Sequence, residues 1–282
     1  SDIKGTILPN PEEVVFGRQS VIEDTKSHLN KNQSVLFVGP LGMGKTHLLK
    51  HFNKIMGANT LYISSPSPIK GMLTQICDKL NPDWKKQVKT RASVKDILDY
   101  IIATKGNQPP ILVIDNLNNI KTSDCDTFSL IFDNFTILAS ADDLKSKLKS
   151  VWWKFKQIEL KRLTDDAERE LIKYLIQNLS VSDYQLLETR IMTLANGLPL
   201  AVVDMIHQVS HRGVITRDVV RDIYHEAGIK YRDWTVGIII LWGLAIMFRF
   251  VALGTHSFEG YILAGFGMAI LGVLRTVFRR LR

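Results

Sequence analysis

The chain has 282 residues, of which 45% are hydrophobic and 23% charged, and its formal net charge is +8. The charge is unevenly distributed: residues 230–282 contain seven Lys and Arg residues against two acidic ones, a net charge of +5 that leaves +3 for residues 1–229. The high isoelectric point is therefore weak evidence for a nucleic-acid-binding protein. The two cysteines, Cys77 and Cys125, have neither CxxC nor Cys/His spacing, which argues against a disulfide framework and against a Cys/His metal site.

Short strand and helix patterns alternate along the first 160 residues. A helix that ends near Asn30 comes first, and the region before it has no charged-then-apolar run, so we expect no secretory signal peptide. Five short apolar runs are predicted to be strands: 34–38, 60–64, 111–114, 135–139 and 157–160. Helices are predicted over 69–80 and 93–104, with a polar surface loop over 81–91. Short strands that alternate with helices indicate a parallel sheet covered on both faces.

Residues 39–46 read Gly-Pro-Leu-Gly-Met-Gly-Lys-Thr, which is a complete G-x-x-x-x-G-K-[ST] pattern. The predicted strand 34–38 precedes it and a helical pattern over 47–52 follows, as a phosphate-binding loop requires. The glycines let backbone N–H groups point toward a polyphosphate, and the helix N-terminus adds a positive dipole end. Lys45 is expected to reach the β- and γ-phosphates, and the Thr46 hydroxyl to bind Mg²⁺.

The run Ile111-Leu-Val-Ile-Asp115 has the form of a strand that delivers one carboxylate beside such a loop. Asp115 is therefore expected to hold Mg²⁺ through water, opposite Thr46. The next residue is Asn116, whose amide can orient a water molecule but cannot accept its proton near neutral pH. We therefore expect slow hydrolysis. Ser140 follows the predicted strand 135–139 and is interpreted either as a polar contact to the γ-phosphate or as a cap for residues 142–144.

From about residue 164 to 227 the pattern is helical only, and it contains Asn196-Gly-Leu-Pro-Leu-Ala201. This segment resembles the GLPLA element of STAND-type ATPases, and Val15-Phe-Gly-Arg18 resembles the box that precedes the phosphate loop in STAND and AAA+ ATPases. The resemblance covers roughly residues 11–210. It implies an ATP-binding core with a helical lid, adenine beneath the N-terminal box, and nucleotide-controlled self-assembly. No arginine stands near the lid element where replication-type AAA+ proteins usually have one, which favours the STAND-like interpretation.

The predicted site follows from these motifs and from the resemblance. The predicted catalytic residues are Lys45, Asp115, Asn116 and Ser140, and the predicted metal ligands are Thr46 and Asp115. The predicted nucleotide contacts are Val15, Phe16, Gly17, Arg18, Gly39, Gly42, Met43, Gly44, Lys45, Thr46, His47 and Pro199. Arg18, Arg162 and Arg169 are candidates for a charge supplied to a neighbouring subunit. The sequence has no Asn-Lys-x-Asp guanine-reading motif, so the expected cofactors are ATP and Mg²⁺.

Two apolar stretches, 234–253 and 258–274, are each about long enough to cross a hydrocarbon core of ~30 Å. They contain one ionisable residue each, Arg249 and Glu259, and a buried helical hairpin is the competing interpretation. Lys and Arg residues flank the pair on both sides but are missing from the loop between its members. The positive-inside rule then places the ATPase domain and the C-terminus in the cytoplasm, with the chain a multi-pass protein of the inner (cytoplasmic) membrane. The hairpin is interpreted as an anchor or, in a sharper version, as part of an oligomeric pore.

Aromatic residues are interleaved with a basic run over residues 145–162. Such a run can bind nucleic acid or anionic lipid headgroups, but a solvated helix with its Trp side chains packed inward is the favoured interpretation.

The predicted fold is α/β, a parallel-sheet P-loop NTPase core (1–162) with an α-helical lid subdomain (163–229), followed by two transmembrane helices (230–282). The favoured function is a membrane-anchored ATP-binding switch or assembly ATPase that forms homo-oligomers. Two alternatives are an AAA+-like ATPase acting on DNA at the membrane, as in mobile-element, conjugation or secretion systems, and a non-enzymatic ATP-sensing scaffold. The expected partners are ATP and the lipid bilayer, with nucleic acid not favoured.

Overall fold

The computed structural model describes residues 9, 14–88, 91–143, 148–211, 214–223, 244, 246, 247, 250 and 251. The chain divides into two compact units, Ser1–Gly228 and Ile229–Arg282. Nearly all of the second unit, and with it most of both predicted membrane spans, lies outside the described residues. Among the residues that are described, none of the helices has the length and apolar character needed to cross a membrane. The membrane hairpin therefore stays a prediction.

Five parallel strands form the central sheet of the first unit. They are β1 (Val35–Val38), β2 (Thr60–Ile63), β3 (Ile111–Ile114), β4 (Ile137–Ala141) and β5 (Lys156–Glu159). Their order in the sheet is β2-β3-β4-β1-β5, and every pair of neighbours is parallel. The predicted parallel-sheet α/β core is thus confirmed. Because β4 lies between β1 and β3, the carboxyl ends of these three strands meet at one edge of the sheet.

The strand sequences match their places in the sheet. Central strands β1, β3 and β4 are almost entirely buried, as expected for strands covered on both faces. Edge strand β5 is mostly exposed and carries Lys156, Gln157 and Glu159, which discourage pairing with another chain. Strand β4 begins two residues later than predicted, because the Phe135 N–H still donates to Ile131 O (3.0 Å) in the turn that ends the preceding helix.

Six helices accompany this sheet in the described part of the core: α1 (Gln19–Asn30), α2 (Lys45–Met56), α3 (Ile69–Leu80), α4 (Val94–Thr104), α5 (Cys125–Phe132) and α6 (Lys149–Trp152). Helix α4 starts with a capping box in which Ser93 and Asp96 satisfy each other's backbone N–H groups. The prediction of a surface loop over 81–91 was wrong at Trp84. That side chain is buried, and its indole N–H donates to Asp78 at 2.7 Å.

Beyond the sheet, four helices form the lid region: α7 (Asp165–Ile176), α8 (Tyr184–Ala195), α9 (Pro199–Ser210) and α10 (Arg217–Arg221). Their apolar faces pack into one core with β1 and α2, including Phe37, Leu49, Ile172 and Ile206. The prediction of helices only was incomplete, because β6 (Ser180–Val181) and β7 (Val214–Ile215) form a small parallel pair. Two-residue strands are too short to give a periodic signal.

The aromatic residues of the basic run are divided between core and surface. Trp152 and Phe155 are buried, whereas Trp153 is 72% exposed. Lys154 pairs with Asp133 at 2.8 Å and lies over the Phe132 ring. Most of the aromatic surface in the described part of this run therefore serves the core, as the favoured interpretation expected.

Candidate nucleotide-binding site

The phosphate-binding loop lies between β1 and α2, at the carboxyl edge of the sheet. Gly42 and Gly44 both have φ of +86°, in the left-handed region that favours glycine. A Cβ on Gly42 would also lie 3.1 Å from the Leu200 Cβ, so this position has little room for a larger residue. Gly44 immediately precedes α2, which places the loop at a helix N-terminus.

The Lys45 side chain is buried beneath the loop, and all three of its ammonium donors have partners. Its Nζ donates to the carbonyl oxygens of Gly39 (2.6 Å) and Pro40 (2.8 Å). It also forms an ion pair with Asp142 Oδ1 at 2.7 Å. The lysine is thus held at the open edge of the sheet, in the position from which it would reach a bound polyphosphate.

Asp115 lies at the end of β3 and accepts hydrogen bonds from several directions. Thr46 Oγ1 donates to Asp115 Oδ2 at 2.7 Å, and Tyr62 Oη donates to the same oxygen at 3.3 Å. The Ser140 hydroxyl donates to Asp115 Oδ1. The hydroxyl is fully buried beside Asp115 and accepts from Asn116 N–H, so Ser140 does not cap residues 142 and 143; residue 144 lies outside the described residues. Tyr62 was missed from the sequence, because its role depends on β2 lying next to β3.

The Thr46–Asp115 pair fits the Mg²⁺ ion that such loops use. Hydroxyl and carboxylate oxygens are the hard ligands that Mg²⁺ prefers, and the ion commonly takes only one or two protein ligands together with substrate phosphates and water. Within the described residues, no group of three or more His, Cys, Asp or Glu side chains forms a complete metal site. One hydroxyl and one carboxylate are a donor set that suits a metal arriving with a nucleotide.

Asn116 has a left-handed backbone conformation, with φ of +52° and ψ of +50°. Asn is one of the few residues other than Gly that adopt this conformation readily. Its N–H donates to Asp115 Oδ1 and to Ser140 Oγ, both at 3.0 Å, so the turn is held by the same polar cluster. The residue after the Asp115 carboxylate is therefore a neutral amide held by its backbone, with no carboxylate to act as a base.

The N-terminal box contacts both the loop and the lid. Arg18 is buried, its Nη2 donates to Met43 O at 3.4 Å, and desolvation lowers its pKa. Gly17 has φ of +61°, and a Cβ there would lie 2.4 Å from the Ala167 Cβ at the start of α7. Phe16 packs against Tyr174 of the same helix, with 5.4 Å between ring centroids. The box thus joins the phosphate loop to α7.

A second connection joins the loop to α9. The Leu200 N–H, in the first turn of α9, donates to Gly42 O at 3.2 Å. The turn before it is tightly packed, because Gly197 has φ of +75° and a Cβ there would lie 2.7 Å from Leu163 O. The Gly197 N–H donates to Glu168 Oε2 at 3.1 Å. Glu168 is 2% exposed, and its burial raises the pKa of the carboxyl group.

These elements enclose a cavity of about 370 Å³. Eleven of the predicted site residues line it: Val15, Phe16, Arg18, Gly42, Met43, Gly44, Lys45, Thr46, His47, Asn116 and Pro199. Gly17, Gly39, Asp115 and Ser140 are not in the lining. The lining residues that sequence reasoning missed are Val14, Leu41, Leu48, Asp142, Leu163, Leu171, Leu200 and Val203. Most of them come from the lid or follow β4, so only the folded arrangement brings them to the loop.

A larger cavity of about 830 Å³ lies elsewhere in the first unit. Its lining includes the residues that precede β2, β3 and β4, such as Asn59, Pro110 and Thr136. It is therefore at the opposite edge of the sheet from Asp115. In doubly wound sheets ligands bind at the carboxyl edge, so the smaller cavity is the candidate site.

Each of the three arginines predicted to supply a positive charge to a neighbouring subunit has a partner within the chain. Arg18 donates to the phosphate loop at Met43 O. Arg162 donates to Asn196 O at 2.6 Å, and Arg169 pairs with Glu188 at 3.2 Å. Burial removes Arg18 from the candidates, whereas Arg162 and Arg169 are exposed.

Comparison with known proteins gives one family match and several similar folds. Residues 28–152 match the family model described as "AAA domain". No curated protein sequence matches the chain. The fold is similar to that of a RuvB point mutant from Thermotoga maritima, with 17% identity, a TM-score of 0.50, and coverage of 77% of this chain and 72% of that one.

Two further structures are similar at a lower level. The Thermotoga maritima RuvB Holliday junction branch migration motor is 19% identical, with a TM-score of 0.46 and coverage of 74% of this chain and 68% of that one. A STAND protein with a tetratricopeptide repeat sensor from Pyrococcus horikoshii is 16% identical, with a TM-score of 0.48. The match covers 73% of this chain but 32% of the STAND protein. The match of residues 28–152 to the AAA domain model and the fold similarity agree with the phosphate-binding loop and the parallel sheet described above.

Proposed function

We propose that the protein is a membrane-anchored ATP-binding switch whose nucleotide state controls its self-association, and that it hydrolyses ATP slowly. ATP·Mg²⁺ would occupy the cavity between the phosphate loop and the lid. The triphosphate would lie along the loop, Mg²⁺ would be held by Thr46 and Asp115, and the base would lie near the N-terminal box. Lys45 would contact the γ-phosphate and Asn116 would orient the attacking water, while Ser140 would position the Asp115 carboxylate.

The observation that carries the proposal is the hydrogen bond from Leu200 N–H to Gly42 O. Gly42 belongs to the phosphate loop, and Leu200 belongs to the first turn of α9. If the loop backbone moves when a triphosphate binds, this hydrogen bond would lengthen or shorten and would move the first turn of α9. The rest of α9 would move with it because the buried face of the helix packs against α7 and α8. A nucleotide-dependent lid of this kind is a two-state element that ATP can bias.

Slow hydrolysis is proposed because Asn116 occupies the position next to the metal-binding carboxylate. An amide orients water without taking its proton, and general bases commonly contribute about 10²–10⁴-fold to a reaction of this type. A steady-state turnover of tens per second would contradict this part of the proposal. The chain would then have to use another group as the base.

The membrane anchor is proposed from the sequence. The stretches 234–253 and 258–274 have the length and composition of spans, and their basic flanks place residues 1–229 and the C-terminus in the cytoplasm. The experiment is carbonate extraction of membranes that contain the full-length chain. Retention in the membrane pellet is expected, and release into the supernatant would contradict the anchor.

The switch is tested on the full-length chain in detergent, by light scattering after size-exclusion chromatography with Mg²⁺ and ATP, ADP or no nucleotide. We expect a larger assembly with ATP than with ADP. Lys45→Ala should abolish the difference, whereas Lys54→Ala, an exposed lysine on the same helix, should preserve it. The same mass in every nucleotide state would contradict the switch and favour a scaffold, and salt-dependent binding of duplex DNA would favour the DNA-directed alternative.

A further inference from the structure

Asp142 is an acidic residue beside the phosphate-binding loop, where the proposed ligand is an anion. It lies directly after β4, and its carboxylate Oδ1 is 2.7 Å from Lys45 Nζ. An ammonium group has three N–H donors, and Gly39 O and Pro40 O take the other two. Lys45 therefore has no donor left for a phosphate oxygen while Asp142 remains in place.

The backbone holds Asp142 at this position. The Gly39 N–H, the first of the phosphate loop, donates to the carbonyl of Ala141 at 3.3 Å, which ties the end of β4 to the loop. The Asp142 N–H donates to Asn118 Oδ1 at 3.4 Å. The Asp142 side chain is 39% exposed, whereas that of Lys45 is 7% exposed. The carboxylate can therefore turn toward solvent while the lysine stays beneath the loop.

We propose that Asp142 is an internal competitor of the triphosphate and sets the affinity of the site for nucleotide, an inference that rests on the proposed binding of ATP at this loop. While its carboxylate is paired with Lys45, it takes the place on Lys45 that a phosphate oxygen would occupy. Binding requires that the Lys45–Asp142 pair separates and that a phosphate oxygen replaces the carboxylate. No covalent bond changes in this exchange.

The charges around the loop support the same inference. Lys45 and Arg18 contribute two positive charges, and Asp115 and Asp142 contribute two negative ones. Asp115 is needed for Mg²⁺, so Asp142 is the carboxylate whose removal leaves a net positive site. Once displaced, Asp142 still lies near the phosphates and repels them, and the repulsion is stronger for ATP than for ADP because ATP brings more charge to the Lys45 end of the loop. Asp142 thus weakens triphosphate binding more than diphosphate binding.

The test is isothermal titration of the full-length chain with Mg·ATP and Mg·ADP, using Asp142→Asn and the matched control Asp143→Asn. Asp143 is the exposed neighbour, and its substitution removes the same charge without touching Lys45. We expect Asp142→Asn to bind Mg·ATP about tenfold tighter than the parent, with a smaller gain for Mg·ADP, and Asp143→Asn to change either constant by less than about twofold. Asp142→Glu, which keeps the charge, should remain close to the parent.

Unchanged or weaker binding of Mg·ATP by Asp142→Asn would overturn the proposal, as would an equal gain in Asp143→Asn. Circular dichroism of each variant establishes that it is folded, and Asp142→Ser replaces Asp142→Asn if the latter is not. The parent titration separates this inference from the proposed function. If the parent protein does not bind Mg·ATP, the proposed function fails, whereas a binding parent with an indifferent Asp142→Asn contradicts only the role of Asp142.

Discussion

The two ends of the candidate site are built in different ways. At the phosphate end, Lys45, Thr46, Asp115 and Asp142 are held by charged and polar hydrogen bonds of 2.6–2.8 Å. At the lid end, the contacts depend on two glycines, Gly17 in the N-terminal box and Gly197 before α9. Neighbouring atoms lie so close to both that a Cβ would clash with them. The difference separates two properties of the protein. Under the proposed function, charge at the first end would govern whether nucleotide binds, and steric fit at the second would govern whether the lid responds to it.

The largest effect is expected on Mg·ATP affinity, from a substitution at the phosphate end alone. Lys45→Ala removes the ammonium group that would contact the β- and γ-phosphates, and we expect Mg·ATP affinity to fall by about 100-fold or more, since charge-assisted hydrogen bonds are the strong ones. Titration calorimetry measures the loss, with Lys54→Ala as the control on the same helix. Binding by Lys45→Ala as tight as that of the parent would show that the triphosphate does not use this loop.

The next largest effect is expected on the free energy of unfolding, from a substitution at the lid end. Gly197→Ala forces a Cβ to within 2.7 Å of Leu163 O at a φ of +75°, whereas Gly106→Ala meets no atom within 4 Å at a similar φ of +69°. Both variants share the left-handed backbone cost of about 1–2 kcal/mol, so their difference isolates the steric contact. We expect Gly197→Ala to lose about 1–3 kcal/mol more than Gly106→Ala in the free energy of unfolding. Urea unfolding measures both, and equal losses would mean that the turn before α9 has room to relax.

The same division explains what could be predicted from the sequence. Lys45, Thr46 and Asp115 could be predicted because phosphate chemistry requires particular residues at a particular spacing between a strand and a helix. Tyr62 and Asp142 were missed because their roles depend on the order of strands in the sheet, which single strands do not encode. At the lid end, Pro199 came from the resemblance, whereas the contacts of Leu200 and Glu168 required the packing of α7 against α9.

A smaller effect is expected from the hydrogen bonds that hold Asp115 at the phosphate end. Ser140 is fully buried and donates to Asp115, so Ser140→Ala leaves a buried carboxylate oxygen with one donor fewer. Tyr62→Phe removes a longer bond of 3.3 Å to the other oxygen. We expect Ser140→Ala to cost about 1–2 kcal/mol of unfolding free energy and Tyr62→Phe about half as much. Denaturant unfolding decides the order, and a larger loss for Tyr62→Phe would show that β2 rather than β4 positions Asp115.

The smallest expected effect is a pH dependence that belongs to the lid end. Burial raises the pKa of Glu168 above its ordinary value of 4.5, so the folded state holds this proton more tightly than the unfolded state does. The resulting stabilisation is complete below about pH 4.5 and is lost as the pH rises through the folded-state pKa.

Glu168→Gln keeps an acceptor for the Gly197 N–H and does not titrate. We therefore expect Glu168→Gln to gain stability relative to the parent as the pH rises from about 4.5, and then to keep a constant advantage. Urea unfolding of both proteins across this range measures the difference, and a difference that stays constant with pH would mean that the Gly197 hydrogen bond and the Arg162 charge offset the effect of burial on the Glu168 carboxyl group.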